Sequence, residues 1–277
     1  MISFFGFLLS ISSLDIYSYL IPIGVFLITT GCILSFTFAL NNYYDIDSDR
    51  NNPKKIHSNA LAQGKISKKS GLFFNILFLL IPLIITVVYD HVLFLLCIVL
   101  IGWMWIYSSP PLRLKGRPGF DILWHFFAFV LLIIWGSLLG GSLGLINWLT
   151  AVSIGVCCCI GQFLNHLHDY EFDKESGVVT FTVWKGVETT RKALKINIIV
   201  HVLCFLPLLV LYSFSYVVTI IVLFLGILLG VLFVLKINNP SVSKIYYFPI
   251  FVSFFVYMNC FLYRLFDLLN VPLLYLW

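Results

Sequence analysis

Apolar runs long enough to cross a bilayer recur along the whole chain, and nothing constrains its fold more. Gly71–Val88 and Val217–Leu235 are two of them, each nearly unbroken and close to the roughly 20 residues a membrane helix needs. With 61% hydrophobic and 10% charged residues among 277, and a mean hydropathy of +1.02, a soluble globular enzyme is excluded, because such a domain carries roughly 25% charge. Disorder is excluded by the same figures, since it needs few apolar residues and high charge. A β-barrel would alternate apolar and polar positions, whereas these segments are apolar all round. The sequence predicts an all-α integral membrane protein, a single polytopic domain over residues 1–277.

Hydrophobic windows place helices near 2–13, 18–40, 71–89, 91–107, 122–140, 147–166, 193–212, 216–236 and 246–266. That makes nine, the first too short for a full crossing. The apolar N-terminus lacks a positively charged start and a clear small-residue cleavage site, so it reads as part of the bundle rather than as a signal sequence. The seven cysteines fall within apolar segments without zinc-like spacing and read as small packing residues.

Alternating the sides of the membrane sorts the charges. Arg50, Lys54, Lys55, Lys65, Lys68 and Lys69 precede the third helix; Arg113, Lys115 and Arg117 follow the fourth. Lys174, Lys185, Arg191, Lys192 and Lys195 follow the sixth, and Lys236 and Lys244 the eighth, so all but Arg264 of the seventeen cationic residues share one side. The positive-inside rule makes that side cytoplasmic, with the N-terminus in and the C-terminus out. Topology therefore accounts for the net charge of +5, and no nucleic-acid partner is implied. Cytoplasmic cap loops are expected at about 45–70, 108–121 and 167–192.

Seven of the twelve acidic residues sit in two windows on that side: Asp45, Asp47 and Asp49, then Asp169, Glu171, Asp173 and Glu175. Each window contains Asn-x-x-x-Asp-x-x-x-Asp, as Asn41–Asp45–Asp49 and Asn165–Asp169–Asp173. Positions i, i+4 and i+8 share a helix face, so each triplet forms a stripe of oxygen ligands about 12 Å long. Acid at a helix C-terminus opposes the macrodipole and is not there for helix stability. Carboxylates this close repel unless a cation sits among them. Mg²⁺, which binds through one or two carboxylates plus substrate phosphates, suits two such stripes flanking a diphosphate. Arg113, Lys115, Lys54 and Lys55 are placed in sequence to neutralise the remaining phosphate charge.

These residues carry a resemblance to the UbiA superfamily of intramembrane prenyltransferases. Asn41-x-x-x-Asp45-x-x-x-Asp49 resembles that family's first aspartate-rich motif, and Asp169-x-x-x-Asp173 its second. Gly64-Lys65-Ile66-Ser67 is similar to the Gly-x-Ile-Ser segment after motif one, and Tyr107–Lys115 to the loop after the fourth helix. Gly177-x-x-Thr180 and Gly186 resemble the tail of motif two. The resemblance runs from about Leu20 to Phe266. It implies nine helices around a central cavity open to lipid, and transfer of a prenyl chain from an isoprenyl diphosphate to a lipophilic acceptor. Asn41, Asp45, Asp49, Asp169 and Asp173 would hold Mg²⁺ and the diphosphate, with Asp45, Asp169, Tyr107 and Lys115 central to catalysis. Asn165 fits the naphthoate-type subset, which points to an aromatic, quinone-precursor-like acceptor. Tyr107, Ser108 and Lys115 are similar to positions that touch the diphosphate. Two departures stand out. The short first helix carries no basic residue, and the family's Arg-Pro before Gly-x-Ile-Ser is Asn59-Ala60 here, leaving Lys54, Lys55 or His57 as substitutes.

Ionisation of an allylic diphosphate needs stabilised leaving-group charge in a water-poor site, and a chain 17% aromatic permits a wall of π faces around the cation. Asp121, one turn before His125, reads as the cap of the fifth helix. His166 and His168, at i and i+2, point to different faces. Three other readings stay open: a terpene cyclase of the same superfamily, a transferase of sugar phosphate to polyprenyl phosphate, and a cation or organic-anion transporter. Against transport, the acids lie at helix ends rather than at the bilayer midplane. Richness in Ile, Phe, Asn and Lys is compatible with an AT-rich microbial genome and a prokaryotic plasma membrane.

Overall fold

In a computed structural model the chain is helical, with no strand among the described residues. These are residues 2–13, 15–52, 55–175, 177–211 and 244–269, with positions 220, 221, 224, 227, 228 and 231. The helix expected at 216–236 lies largely outside them, and Lys54 entirely so. The helices are α1 (Ile2–Ser10), α2 (Ile16–Tyr44), α3 (Ile46–Arg50), α4 (Lys68–Tyr89), α5 (His91–Ser108), α6 (Phe120–Leu139), α7 (Leu145–His168), α8 (Tyr170–Glu175), α9 (Phe181–Lys185), α10 (Val187–Leu211) and α11 (Phe248–Leu268). Among the described residues six helices are long and apolar enough to cross a membrane: α2, α4, α5, α6, α7 and α11. With a chain this apolar, they make it an integral membrane protein. α1 is short, as expected. α10 is long enough, but its first turns carry Glu188, Arg191, Lys192 and Lys195.

The chain divides into two compact units. In the unit formed by residues 16–115, α2 packs against α4 and α5. The inward face of α5 reads Leu93, Cys97, Leu100, Met104 and Ser108, all buried, at the three- and four-residue steps of one helical stripe. On α2, which packs against α5, Ile33, Phe36 and Leu40 are also buried. Outward positions such as Leu20, Phe38 and Leu95 are exposed apolar side chains, as a lipid-facing surface requires. Two polar side chains inside the spans donate to their own helix, Thr86 Oγ1 to Pro82 O at 2.7 Å and Asn75 Nδ2 to Gly71 O at 2.9 Å. Asp90 alone separates α4 from α5. Its N–H closes on Thr86 O at 2.9 Å and its Oδ1 accepts from Leu93 N at 2.8 Å, so it ends one helix and caps the next.

The other unit joins residues 1–15 to residues 116–277. There α6 packs on α7, α7 on α10, and α10 on α11. Ile122, Cys159, Ile160, Phe163, Leu164, Leu167 and Leu194 form its core at one end; Leu9, Phe205, Leu208, Val256 and Cys260 form a second cluster. α1 docks on α6 through small residues. A Cβ added at Gly136 would stand 1.8 Å from Ser3 O, and one at Gly6 2.2 Å from Ile133 O. Only glycine allows backbones to approach this closely, the usual seam of helices that pack within lipid. Ser10, Ser137 and Asn147 add hydrogen bonds across the seam. All seven cysteines are free.

Candidate active site

The two acidic windows fold alike. α2 runs on past the apolar run to Tyr44 and α7 to His168. In each, one residue then breaks the helix, Asp45 at φ −101°, ψ 8° and Asp169 at φ −92°, ψ 5°. This sparsely populated bridge region is one where active-site residues often sit. The i→i−4 ladder nevertheless continues. Asp45 N donates to Asn41 O at 3.0 Å and Asp49 N to Asp45 O at 2.8 Å; Asp169 N and Asp173 N repeat the pattern at 2.8 Å each. The stripes expected from the spacing therefore exist as backbone, carried from a long helix onto α3 or α8.

At the first end, cations converge on the stripe. Lys115 Nζ lies 2.5 and 2.6 Å from the two Asp45 carboxylate oxygens and 2.8 Å from Asn41 Oδ1. Arg113 Nη2 donates to Asp45 Oδ1 at 3.1 Å, and Ser108 Oγ to Asn41 Oδ1 at 3.0 Å. Arg113 itself holds a φ of +41°, a left-handed conformation uncommon outside glycine and a sign of stored strain at functional sites. The Lys115 and Asp45 side chains are both only 15% exposed. Burial pushes the Lys115 ammonium below the ordinary lysine range, although the Asp45 hydrogen bond pulls the other way. Tyr107 is half-buried, one residue before Ser108, and Lys55 is exposed.

Asp49 is buried and faces elsewhere. Its Oδ2 accepts from Asn59 Nδ2 at 2.9 Å, and the same amide nitrogen reaches Asn42 O at 2.9 Å. Asn59 Oδ1 accepts from Leu61 N and Ala62 N at 3.1 and 3.3 Å. Asn59 is completely buried and ties the following loop to the stripe. Sequence reasoning met it only as a departure from a motif; nothing local marks its partners.

The second end is more open. Asn165 is exposed, Asp173 half-buried and the Asp169 side chain 56% exposed, bonded to His168 Nδ1 at 2.7 Å. Val178 N closes on Asp173 O at 2.9 Å, a turn that Gly177 permits with a φ of +73°. Thr180 starts α9 and Gly186 ends it.

One sequence expectation is corrected. Asp121 does not cap the fifth span. Gly119 occupies the cap of α6, and the Asp121 carboxylate is buried against His166 Nε2 at 2.6 Å. His166 and His168 do point apart, one buried and one exposed. His125 Nδ1 lies 2.7 Å from Asp121 O, and its Nε2 is bonded to the Gln162 amide.

Among the described residues no three His, Cys, Asp or Glu side chains gather as a metal site. The oxygens that do converge are Asn41 Oδ1 and both Asp45 oxygens, around one ammonium. This hard-oxygen, carboxylate-poor set fits an ion completed by phosphate and water. An apolar cavity of about 310 Å³ lined by Trp148, Leu149, Val152, Leu203, Cys204 and Pro207 contains none of the acidic residues.

Among curated proteins none matches the chain in sequence. In structure the chain is similar to a UbiA homologue from Archaeoglobus fulgidus bound to GPP and Mg²⁺, with 21% identity over 98% of this chain and 94% of that one and a TM-score of 0.68. The same homologue bound to DMAPP and Mg²⁺ matches with 21% identity over the same shares and a TM-score of 0.67. A digeranylgeranylglyceryl phosphate synthase matches with 16% identity over 95% and 91% and a TM-score of 0.71. These likenesses establish the fold, and the profile of the UbiA prenyltransferase family matches residues 2–259. Covering nearly the whole sequence, that match makes the chain a member of the UbiA prenyltransferase family.

Proposed function

We propose that the protein is a Mg²⁺-dependent prenyltransferase that moves a prenyl chain from an isoprenyl diphosphate to a lipophilic, aromatic acceptor of the quinone-precursor kind. The observation that carries this reading is the cluster at the first acidic end. There a lysine, an arginine and a serine hydroxyl meet an Asn–Asp pair at the mouth of apolar helices. Relatives of the same fold hold allylic diphosphates with Mg²⁺, and the donor set here suits that ion. Asn41 and Asp45 at one end, and Asp169 and Asp173 at the other, are the residues that would each hold Mg²⁺, while Asp49, bonded to Asn59, would brace the first set. When bound, Mg²⁺ supplies Lewis-acid stabilisation of the charge developing on the leaving group.

The chain's own residues do the remaining work. Lys115 and Arg113, with Lys54 and Lys55 from the loop after α3, neutralise phosphate oxygens. Ser108, Tyr107 and Asn165 orient the diphosphate by hydrogen bonds. The C1–O bond of the donor breaks with its electron pair leaving on the diphosphate. An electron-rich acceptor carbon bonds to C1, and its ring proton departs to the diphosphate or to a base. Apolar helix walls keep water from the allylic cation. Loops 45–70, 108–121 and 167–192 lie at the cytoplasmic face of a prokaryotic plasma membrane, with the N-terminus in and the C-terminus out, as the distribution of lysine and arginine favours.

The test is pyrophosphate release from allylic diphosphates by detergent-purified protein, with Mg²⁺ and then with EDTA, and mass spectrometry of extracted lipids with and without aromatic acceptors. Metal-dependent release together with a prenylated acceptor is the expected result. Release with a cyclised product and no acceptor would make the protein a cyclase. Absence of release from every donor by folded protein would overturn the reading.

A further inference from the structure

We infer that Asp121 and His166 form a positioning pair: Asp121, acting through His166, sets the rotation of the last turn of α7 and so the direction in which Asn165 and Asp169 present their oxygens. The inference rests on the proposed role of the second acidic end in holding metal and diphosphate.

The two side chains are 9% and 8% exposed, with His166 Nε2 2.6 Å from Asp121 Oδ2. Asp121 Oδ1 and His166 Nδ1 are buried without a partner. A pair with these properties is a poor device for stability. Burying it is expensive, replacing such pairs with apolar residues is often neutral or stabilising, and each orphaned polar atom adds a further penalty. Its value is directional. Leu164 and Leu167 of α7 pack against Ile122 and Leu194, but apolar contact is non-directional and leaves a helix end free to roll.

His166 lies on the buried side of the turn whose exposed side carries Asn165 and Asp169. With side chains reaching about 5–6 Å from a helix axis, a roll of about 20° moves their tips by about 2 Å. Misplacement of about 1 Å can reduce a rate about a hundredfold. The first acidic end is held from outside by Lys115, Arg113 and Asn59; at the second, the hydrogen-bonded pair is placed to do the equivalent job from inside.

The test compares wild type with Asp121→Leu/His166→Leu, Asp121→Asn and Asp169→Ala in the full-length detergent-purified protein. Three quantities are read: Mn²⁺ binding by electron paramagnetic resonance without donor, the Mg²⁺ concentration giving half-maximal turnover, and the thermal midpoint. The double leucine variant is expected to keep or raise the midpoint while weakening Mn²⁺ binding and raising the Mg²⁺ requirement about tenfold or more, the scale seen when supporting partners of metal ligands are removed. Asp121→Asn, which keeps volume and a neutral hydrogen bond, is expected to shift both partway. Unchanged Mn²⁺ affinity in either variant, with any activity lost only in proportion to folded protein, would overturn the inference; the asparagine variant decides it if the leucine variant does not fold. Mn²⁺ binding that Asp169→Ala leaves untouched would instead overturn the underlying role of the second end, and the positioning pair with it.

Discussion

The two acidic helix ends repeat one backbone geometry in different surroundings. Both carry Asn and Asp at four-residue steps through a single break in the bridge region, and both keep their backbone ladder across it. Asp45 is nevertheless 15% exposed and shared by Lys115 and Arg113, whereas Asp169 is 56% exposed and pairs with its neighbour His168. Spacing sets the path of the backbone, and what the carboxylates meet is decided elsewhere: by Lys115 for Asp45, by Asn59 for Asp49 and by the adjacent His168 for Asp169. The first end is assembled around balanced charge; the second presents negative charge to water. Equal motifs thus sit in unequal surroundings and are expected to contribute unequally to stability.

Substitution of the central aspartates should separate the two roles most strongly. Asp45→Ala and Asp169→Ala are each expected to reduce turnover about 10²–10³-fold. Only Asp45→Ala should also destabilise the fold, by about 2–4 kcal/mol, because it strands the half-buried Lys115 charge. Thermal midpoints of the two variants, measured beside turnover, check the difference, and equal midpoints would erase it. Next in size, Asn59→Ala should cost about 2 kcal/mol of stability by unpairing Asp49 and the Leu61 and Ala62 amides, an effect for which Asn165→Ala, at an exposed position, has no counterpart.

Lys115→Met should raise the KM for donor diphosphate about tenfold or more, as expected for a lost charge-assisted hydrogen bond. The pH response gives the sign. In the proposed role the ammonium is the form that would bind phosphate, and burial lowers its pKa. Donor affinity should therefore fall on the alkaline side below the range of an ordinary lysine, and Lys115→Arg should move that fall to higher pH. The smallest effect belongs to His168→Ala. A contact this exposed contributes at most about 1 kcal/mol, so turnover should stay within a few-fold and the midpoint nearly still.

Much of this was legible in the sequence, for identifiable reasons. The spans were readable because lipid exposure requires continuous apolar side chains. Helix ends were less so, since hydropathy reports where a segment leaves the apolar layer and not where its hydrogen bonds stop: α2 was expected to end at residue 40 and runs to Tyr44, and α10 begins at Val187 rather than 193. The acidic stripes could be read because i and i+4 fall on one face in any helix. Lys115 and Arg113 were expected to face the diphosphate, from their place after the fourth helix and, for Lys115, from the family resemblance; their convergence on Asp45 depends on a loop conformation with Arg113 at positive φ. Asp121 was misread because an acidic residue at the start of a helix usually caps it, and its true partner, His166, lies forty-five residues away. Pairings of that kind come from tertiary packing and leave no local periodicity.

The single residue between α4 and α5 has a consequence for how the protein reaches its membrane. Twenty-two and eighteen residues rise about 33 and 27 Å, each near the thickness of the hydrocarbon layer. Since Asp90 both ends one helix and starts the next, no loop has to be hauled to the far side. The two helices can enter the bilayer together as a hairpin, with only Asp90 and His91 at its tip, while the lysines at 65, 68 and 69 and the basic stretch 113–117 flank its two open ends. Insertion of this half of the chain then depends on the partitioning of two apolar cylinders and not on translocating polar polypeptide.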